Sequence, residues 1–234
     1  MTAHLSGRPS RRERPAKPAL TQDGIISTAV RLTRAEGLQK VTMRRLAQEL
    51  DTGPASLYVY VRNTAELHAA ILDELVGTVD LGAAEGAGDW RERLVRVLVS
   101  YTTVLFEQPG LAKSALVARP SGVHHLDLME VLLALLDEGG VPADRAAWAL
   151  DLLLQHATAT AAEHADRDGA AEAEADRRSW DALSAALLGA SRTRHPHLAG
   201  LGADLLSGAP EDRLRWGFHV LINGALDTPR PPQA

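Results

Sequence analysis

Residues 42–61 are the stretch whose types and spacing can do chemistry: Thr42-Met43-Arg44-Arg45-Leu46-Ala47-Gln48-Glu49-Leu50-Asp51-Thr52-Gly53-Pro54-Ala55-Ser56-Leu57-Tyr58-Val59-Tyr60-Val61. The chemistry is recognition, not bond-making. Gly53-Pro54-Ala55-Ser56 opens a helix with little side-chain bulk, so backbone amides there can approach a phosphate or a base edge. Leu57 and Val61 are spaced i, i+4 and face inward; Tyr58 and Tyr60 carry hydroxyls on the other side. Ala47 is the small residue required where two short helices cross closely. Leu46, Ala47 and Leu50 share one side of the first helix, with Thr42 as its N-cap. Asp51-Thr52-Gly53-Pro54 makes the turn between the two. Two short helices joined by a tight turn and packed on a longer one read as a helix-turn-helix, whose second helix enters the major groove of DNA. An ordinary three-helix subdomain is the plainer alternative, and Tyr60 could pack against the first helix instead.

Other reactive residues give less. His156 and His164 lie eight apart, and His124-His125 are adjacent, but no third carboxylate stands at metal-ligand spacing. Asp166-x-Asp168 begins like a calcium loop, yet Ala171 stands at the sixth position, where Gly is required. No GxGxxG, P-loop or GxSxG sequence is present. Cysteine is absent, which excludes disulfides, Cys-ligated zinc, iron–sulfur clusters and thiol catalysis. No catalytic residue, metal or cofactor is expected. A helical-bundle enzyme with a basic tail remains the alternative from another class.

The elements around this stretch read as helices throughout. Aromatics are only 4% of 234 residues, so Leu, Val, Ile and Ala must build the core, which suits helices better than β-sandwiches. A first helix from about Thr21 to Glu36 is capped by Thr21 and stopped by Gly37. A fourth runs from Asn63 or Thr64 to about Asp80. Gly82 to Gly88 is a Gly/Ala linker. Further helices are expected from Asp89 to Phe106, to about Ala118, from His124 to Glu138, from Pro142 to about His164, near Trp180 to Leu188, and from Glu211 to Asp227. His124 to Glu138 is apolar on nearly all sides, as in a central buried helix. Asp166 to Arg178 reads as a mobile loop and Ser191 to Gly208 as irregular. The chain divides into a basic disordered arm, residues 1–18; a helix-turn-helix head, 19–66; a helical body, 67–227; and a flexible tail, 228–234.

Charge supports that division. Up to Arg62 there are eleven Lys/Arg and five Asp/Glu, a balance of +6; the rest carries fourteen and twenty-five, a balance of −11. A basic segment on an acidic body suits a polyanion-binding head that the body orients toward the duplex. A basic tail beside a neutral domain would give part of the same excess. No apolar run approaches a membrane span and the basic N-terminus has no apolar stretch behind it, so a soluble, cytoplasmic protein is expected.

On these residues the sequence resembles the tetracycline-repressor (TetR) family of transcriptional regulators. The resemblance covers Thr21 to Leu75: Ala29, Gly37-Leu38, Val41-Thr42-Met43-Arg44-Arg45-Leu46-Ala47, Gly53 through Val61, Asn63 and Leu67. The final helix, Arg215 to Leu226, is similar to the last helix of the tetracycline-repressor type. The resemblance implies an all-α fold with an N-terminal helix-turn-helix domain and a C-terminal ligand-binding and dimerisation domain. It implies DNA roles for Arg44, Pro54, Ala55, Ser56, Tyr58 and Tyr60: Arg44 at a base edge or phosphate, Pro54 and Ala55 at a thymine methyl, Ser56 at a base or phosphate, both tyrosines at phosphates. Thr64 stands where the family often carries a phosphate-binding Lys, and Asp51 where it often has Gly. The resemblance further implies a homodimer on a palindromic operator, built from the Pro142–His164 helix and the last helix with Leu214, Phe218, Leu221 and Ile222 in the interface. A small apolar or amphipathic molecule in the body would release the repressor, and Tyr101, Phe106, Trp148, Gln155 and His156 mix apolar walls with polar handles suited to it. A ligand-independent architectural DNA-binding protein is the remaining alternative.

Overall fold

A computed structural model describes residues 19–116, 120–164 and 170–231. Those residues form helices and no strand. The N-terminal arm, residues 1–18, lies outside them.

Local chemistry sets the first elements. Helix α1 (Gln22–Glu36) starts where the Thr21 hydroxyl accepts from the Gly24 amide at 3.1 Å, and ends at Gly37, whose φ of 85° suits glycine. Helix α2 (Met43–Glu49) is capped by Thr42, which accepts from the Arg45 amide. Helix α3 (Pro54–Leu57) is a single turn, so Tyr58, Tyr60 and Val61 follow it, although their spacing places them on it. Tyr60 and Val61 return their amides to the Leu57 carbonyl, so the chain leaves as a tight turn. Helix α4 (Thr64–Val76) begins at Asn63, which accepts from the Glu66 amide at 2.8 Å.

The head closes on its own core. Ile25, Ala29 and Leu32 of α1 meet Leu46 and Ala47 of α2, Leu57 of α3 and Leu67 and Ile71 of α4, all essentially inaccessible. Helix α4 carries buried residues along its whole length and packs both on α1 and on helices of the body. It therefore belongs mechanically to both parts.

The body consists of α5 (Trp90–Phe106), α6 (Pro109–Ala115), α7 (Val123–Glu138), α8 (Ala143–His164), α9 (Ala170–Leu188), α10 (Pro196–Leu205) and α11 (Pro210–Asp227). Helices α5, α8 and α11 interlock at its centre. Several expectations change. The Gly82–Gly88 linker is a 3-10 segment, Leu81–Glu85, clamped to α5: the Asp80 amide donates to Ser100 Oγ at 2.8 Å and Arg93 donates to the Ala84 carbonyl at 2.9 Å. Helix α7 is one-sided, burying Leu128, Leu132, Leu135 and Leu136 while Val123 and Leu126 are exposed. The expected loop at 166–178 is helical from Ala170 onward, and the irregular 191–208 contains α10. Alanine-rich charged stretches favour helix, and composition alone misreads them as loops. Residues 228–231 are docked: Arg230 donates to the Asp144 carbonyl at 3.0 Å and lies 4.0 Å over the Trp148 ring.

Candidate nucleic-acid interface

The first need of a reading head is a rigid frame behind an exposed face. Buried Leu46, Ala47, Leu57 and Val61 supply the frame. An ion cluster adds to it. Arg45 donates to Glu36 at 2.5 Å and to Glu49 at 2.8 Å, and Arg31 donates to Glu49 at 2.5 Å. The Arg45 guanidinium holds the Glu36 carboxyl below the usual carboxylate range, and Arg31, then Arg45, do the same for Glu49. Arg45 is thus occupied in fixing α2 to α1, whereas the adjacent Arg44 points outward and has no hydrogen bond or ion pair with another described residue.

The turn between α2 and α3 is tight. The Thr52 amide reaches the Ala47 carbonyl at 2.9 Å, which requires Asp51 at a φ of 48°. That left-handed conformation costs a side-chain-bearing residue roughly 1 kcal/mol, less for Asp than for most, and is the physical reason for glycine at such a corner.

Pro54, Ala55 and Ser56 are exposed together on the outer face of α3, with Thr64 exposed at the start of α4. Tyr58 is 51% exposed, so its hydroxyl can reach a phosphate. Val59 beside it is 81% exposed, an apolar side chain on the same face. The sequence held that signal: with Leu57 and Val61 inward, Val59 must face out. Tyr60 is the correction. It is half-buried and its hydroxyl donates to the Leu20 carbonyl at 2.7 Å. A phenol has one proton and a phosphate oxygen accepts only, so this contact removes Tyr60 as a phosphate donor. Tyr60 ties Leu20, two residues before α1, to the turn that follows α3.

The body residues expected to form one pocket are not brought together. Tyr101 is buried with its hydroxyl 3.1 Å from that of Thr158. The low-dielectric surroundings push the Tyr101 phenol up from its ordinary value, partly offset by Thr158. His156 turns toward α11, edge-on to Phe218 at 5.1 Å. Trp148 and Gln155 lie on the outer stripe of α8, and Phe106 is partly exposed at the end of α5. The expected interface stripe is corrected too. Leu214, Phe218 and Ile222 are buried inside one subunit and Leu221 is half-buried, so the stripe read from spacing is the intramolecular face of α11. The apolar residues left outside are Trp216 and Val220 on α11 and Leu152 and Trp148 on α8.

Residues 25–71 match the family described as Bacterial regulatory proteins, tetR family, and residues 82–228 match the Tetracyclin repressor-like, C-terminal domain. The chain belongs to the TetR family. It is 30% identical over 221 residues to the HTH-type transcriptional repressor DrrR1 of Streptomyces coeruleorubidus, covering 92% of this chain and 80% of that one. Among solved structures, the transcription regulator SCO7704 of Streptomyces coelicolor is 56% identical, with a TM-score of 0.75 over 93% of this chain and 100% of that one. The TetR-family protein ActR of Streptomyces coelicolor, in complex with actinorhodin, is 33% identical, with a TM-score of 0.76 over 89% and 96%. As a TetR-family member the chain is a DNA-binding transcriptional regulator. Among the described residues no helix is long and apolar enough to cross a membrane.

Proposed function

We propose that this chain is a cytoplasmic homodimeric repressor that holds a palindromic operator through Arg44, Pro54, Ala55, Ser56, Tyr58 and Thr64. Arg44 reads a base edge or phosphate, Ser56 touches a base or phosphate, Pro54 and Ala55 meet thymine methyls, and Tyr58 and Thr64 position the backbone. The observation that carries the reading is the contrast between adjacent arginines: Arg45 is tied into the frame while Arg44, like Pro54, Ala55 and Ser56 of α3, is exposed. The second subunit covers Trp216, Val220, Leu152 and Trp148, setting two heads about one DNA turn, ~34–36 Å, apart. A small apolar or amphipathic molecule entering among α5, α8 and α11 shifts that separation through α4; the neighbour ActR, solved in complex with actinorhodin, supports a small-molecule ligand. Tyr101 and His156 are the polar handles nearest that centre.

A gel shift against the DNA flanking the coding sequence tests the reading. Retardation that survives excess random duplex is expected, together with release by a small apolar or amphipathic molecule. Equal competition by random duplex would overturn it.

A further inference from the structure

Helix α7 lacks a cap of its own. Its N-cap residue is Gly122, which offers no side-chain hydrogen bond, so the first amides of the helix need an acceptor from elsewhere. Asp73 of α4 supplies it. Its Oδ1 accepts from the His125 backbone amide at 3.0 Å, the third amide of α7 and the one an N-cap side chain would ordinarily satisfy. The carboxylate occupies the volume in which a cap side chain would stand: a Cβ on Gly122 would lie 2.0 Å from Asp73 Oδ2. Gly122 has an ordinary negative φ of −78°, so space, not backbone conformation, demands glycine there.

At Gly77, the residue after α4, the chain comes close to α7 again. A Cβ on Gly77 would lie 2.9 Å from the His124 ring, so α4 and the first turn of α7 approach closely at a second point. Asp73 and Gly77 are spaced i, i+4 and share the face that meets α7. Asp73 is 8% exposed, and a buried carboxylate that loses its donor is strongly penalised. The negative charge also opposes the positive end of the α7 dipole. The contact is therefore a latch with a high cost of partial opening, placed on a helix that packs on both head and body.

We infer that Asp73 is a positioning residue for DNA binding: by capping α7 from α4, it holds the head in the orientation that fits the operator. This rests on the proposed DNA-binding role and adds a specific device to it. With the latch closed, α4 has one orientation relative to the body. With it open, the two heads sample a range of separations, and a palindrome of fixed spacing accepts only part of that range.

The test uses the full-length chain with Asp73→Ala, Asp73→Asn and Gly122→Ala. Two readouts are taken: affinity for the flanking duplex, and amide exchange at His125. Asp73→Ala is expected to weaken operator binding about tenfold and accelerate exchange at that amide, while the dimer persists. Asp73→Asn keeps an acceptor oxygen and is expected to stay within about threefold of the parent. Gly122→Ala forces the carboxylate aside and is expected to resemble Asp73→Ala, which provides a second route if that variant folds poorly. A folded Asp73→Ala dimer with parental affinity and exchange overturns the latch, as does an equal loss in Asp73→Asn. If the parent itself ignores duplex DNA, the DNA-binding reading falls first and the latch with it.

Discussion

Head and body finish their surfaces differently. Around residues 19–66 the apolar side chains are consumed inside, and the exposed large apolar groups are Tyr58 and Val59, both on the reading face. The body is unfinished in a single chain: Trp148, Leu152, Trp216 and Val220 are about half to two-thirds exposed, as are Trp180, Leu183, Leu188 and Leu201 on the outer pair α9 and α10. Water tolerates scattered apolar groups, but contiguous ones mark contact surfaces. A closed head with an outward arginine suits a polar, charged partner; an open body suits a second copy of itself. The same chain thus carries one exposed polar surface with an outward arginine and another with apolar side chains left uncovered.

The largest expected effect breaks the body side. Trp216→Glu places a charge in the uncovered α11 face. It should yield monomers in sedimentation and lower operator affinity about 100-fold or more, since each head then binds without its tethered twin. Unchanged dimers would show that α11 is not the contact. Next comes the head frame. Leu57→Ala removes a fully buried side chain and should cost ~2–5 kcal/mol of head stability, measured by thermal unfolding. Arg44→Ala leaves folding intact and should cost ~1–3 kcal/mol of operator binding, whereas Arg44→Lys should keep the salt dependence but lose base discrimination. Asp51→Gly relaxes a strained corner and removes a negative charge. It should stabilise the head by up to ~1 kcal/mol and slightly tighten binding at low salt; destabilisation would contradict the strain argument.

The smallest effect concerns pH. Glu36 and Glu49 have carboxyl pKa values held below their unfolded values by Arg45 and Arg31. Their stabilising contribution is complete above the unfolded carboxylate range and disappears as pH falls through the lowered folded values. Both pairs are solvent-accessible, so the loss should be modest and fade at high salt. Glu36→Gln should flatten that part of the acid-unfolding curve.

Much of this was legible in residue order. Thr21, Thr42, Asn63 and Asp89 announce helix starts because capping is local, and each accepts the amide expected of an N-cap. The helix-turn-helix was legible because Leu57, Val61, Gly53 and Pro54 constrain one another over a few residues. What spacing alone could not give was direction. The stripe Leu214-Phe218-Ile222 announces a buried face of α11, but periodicity does not say whether the cover comes from the same chain or another. The structure assigns it to α5 and α8, leaving Trp216 and Val220 outside. Tyr60 misled for a related reason: its hydroxyl meets Leu20, forty residues away. Asp73 was invisible because its partner amide lies fifty-two positions along the chain.

Sedimentation velocity of the chain titrated onto the duplex flanking its gene tests the central claim most directly. Two chains should load per palindrome in a single cooperative step, and Trp216→Glu should abolish that step while leaving weak, salt-sensitive binding. One chain per duplex, bound as tightly by the variant as by the parent, would contradict a head that depends on its twin.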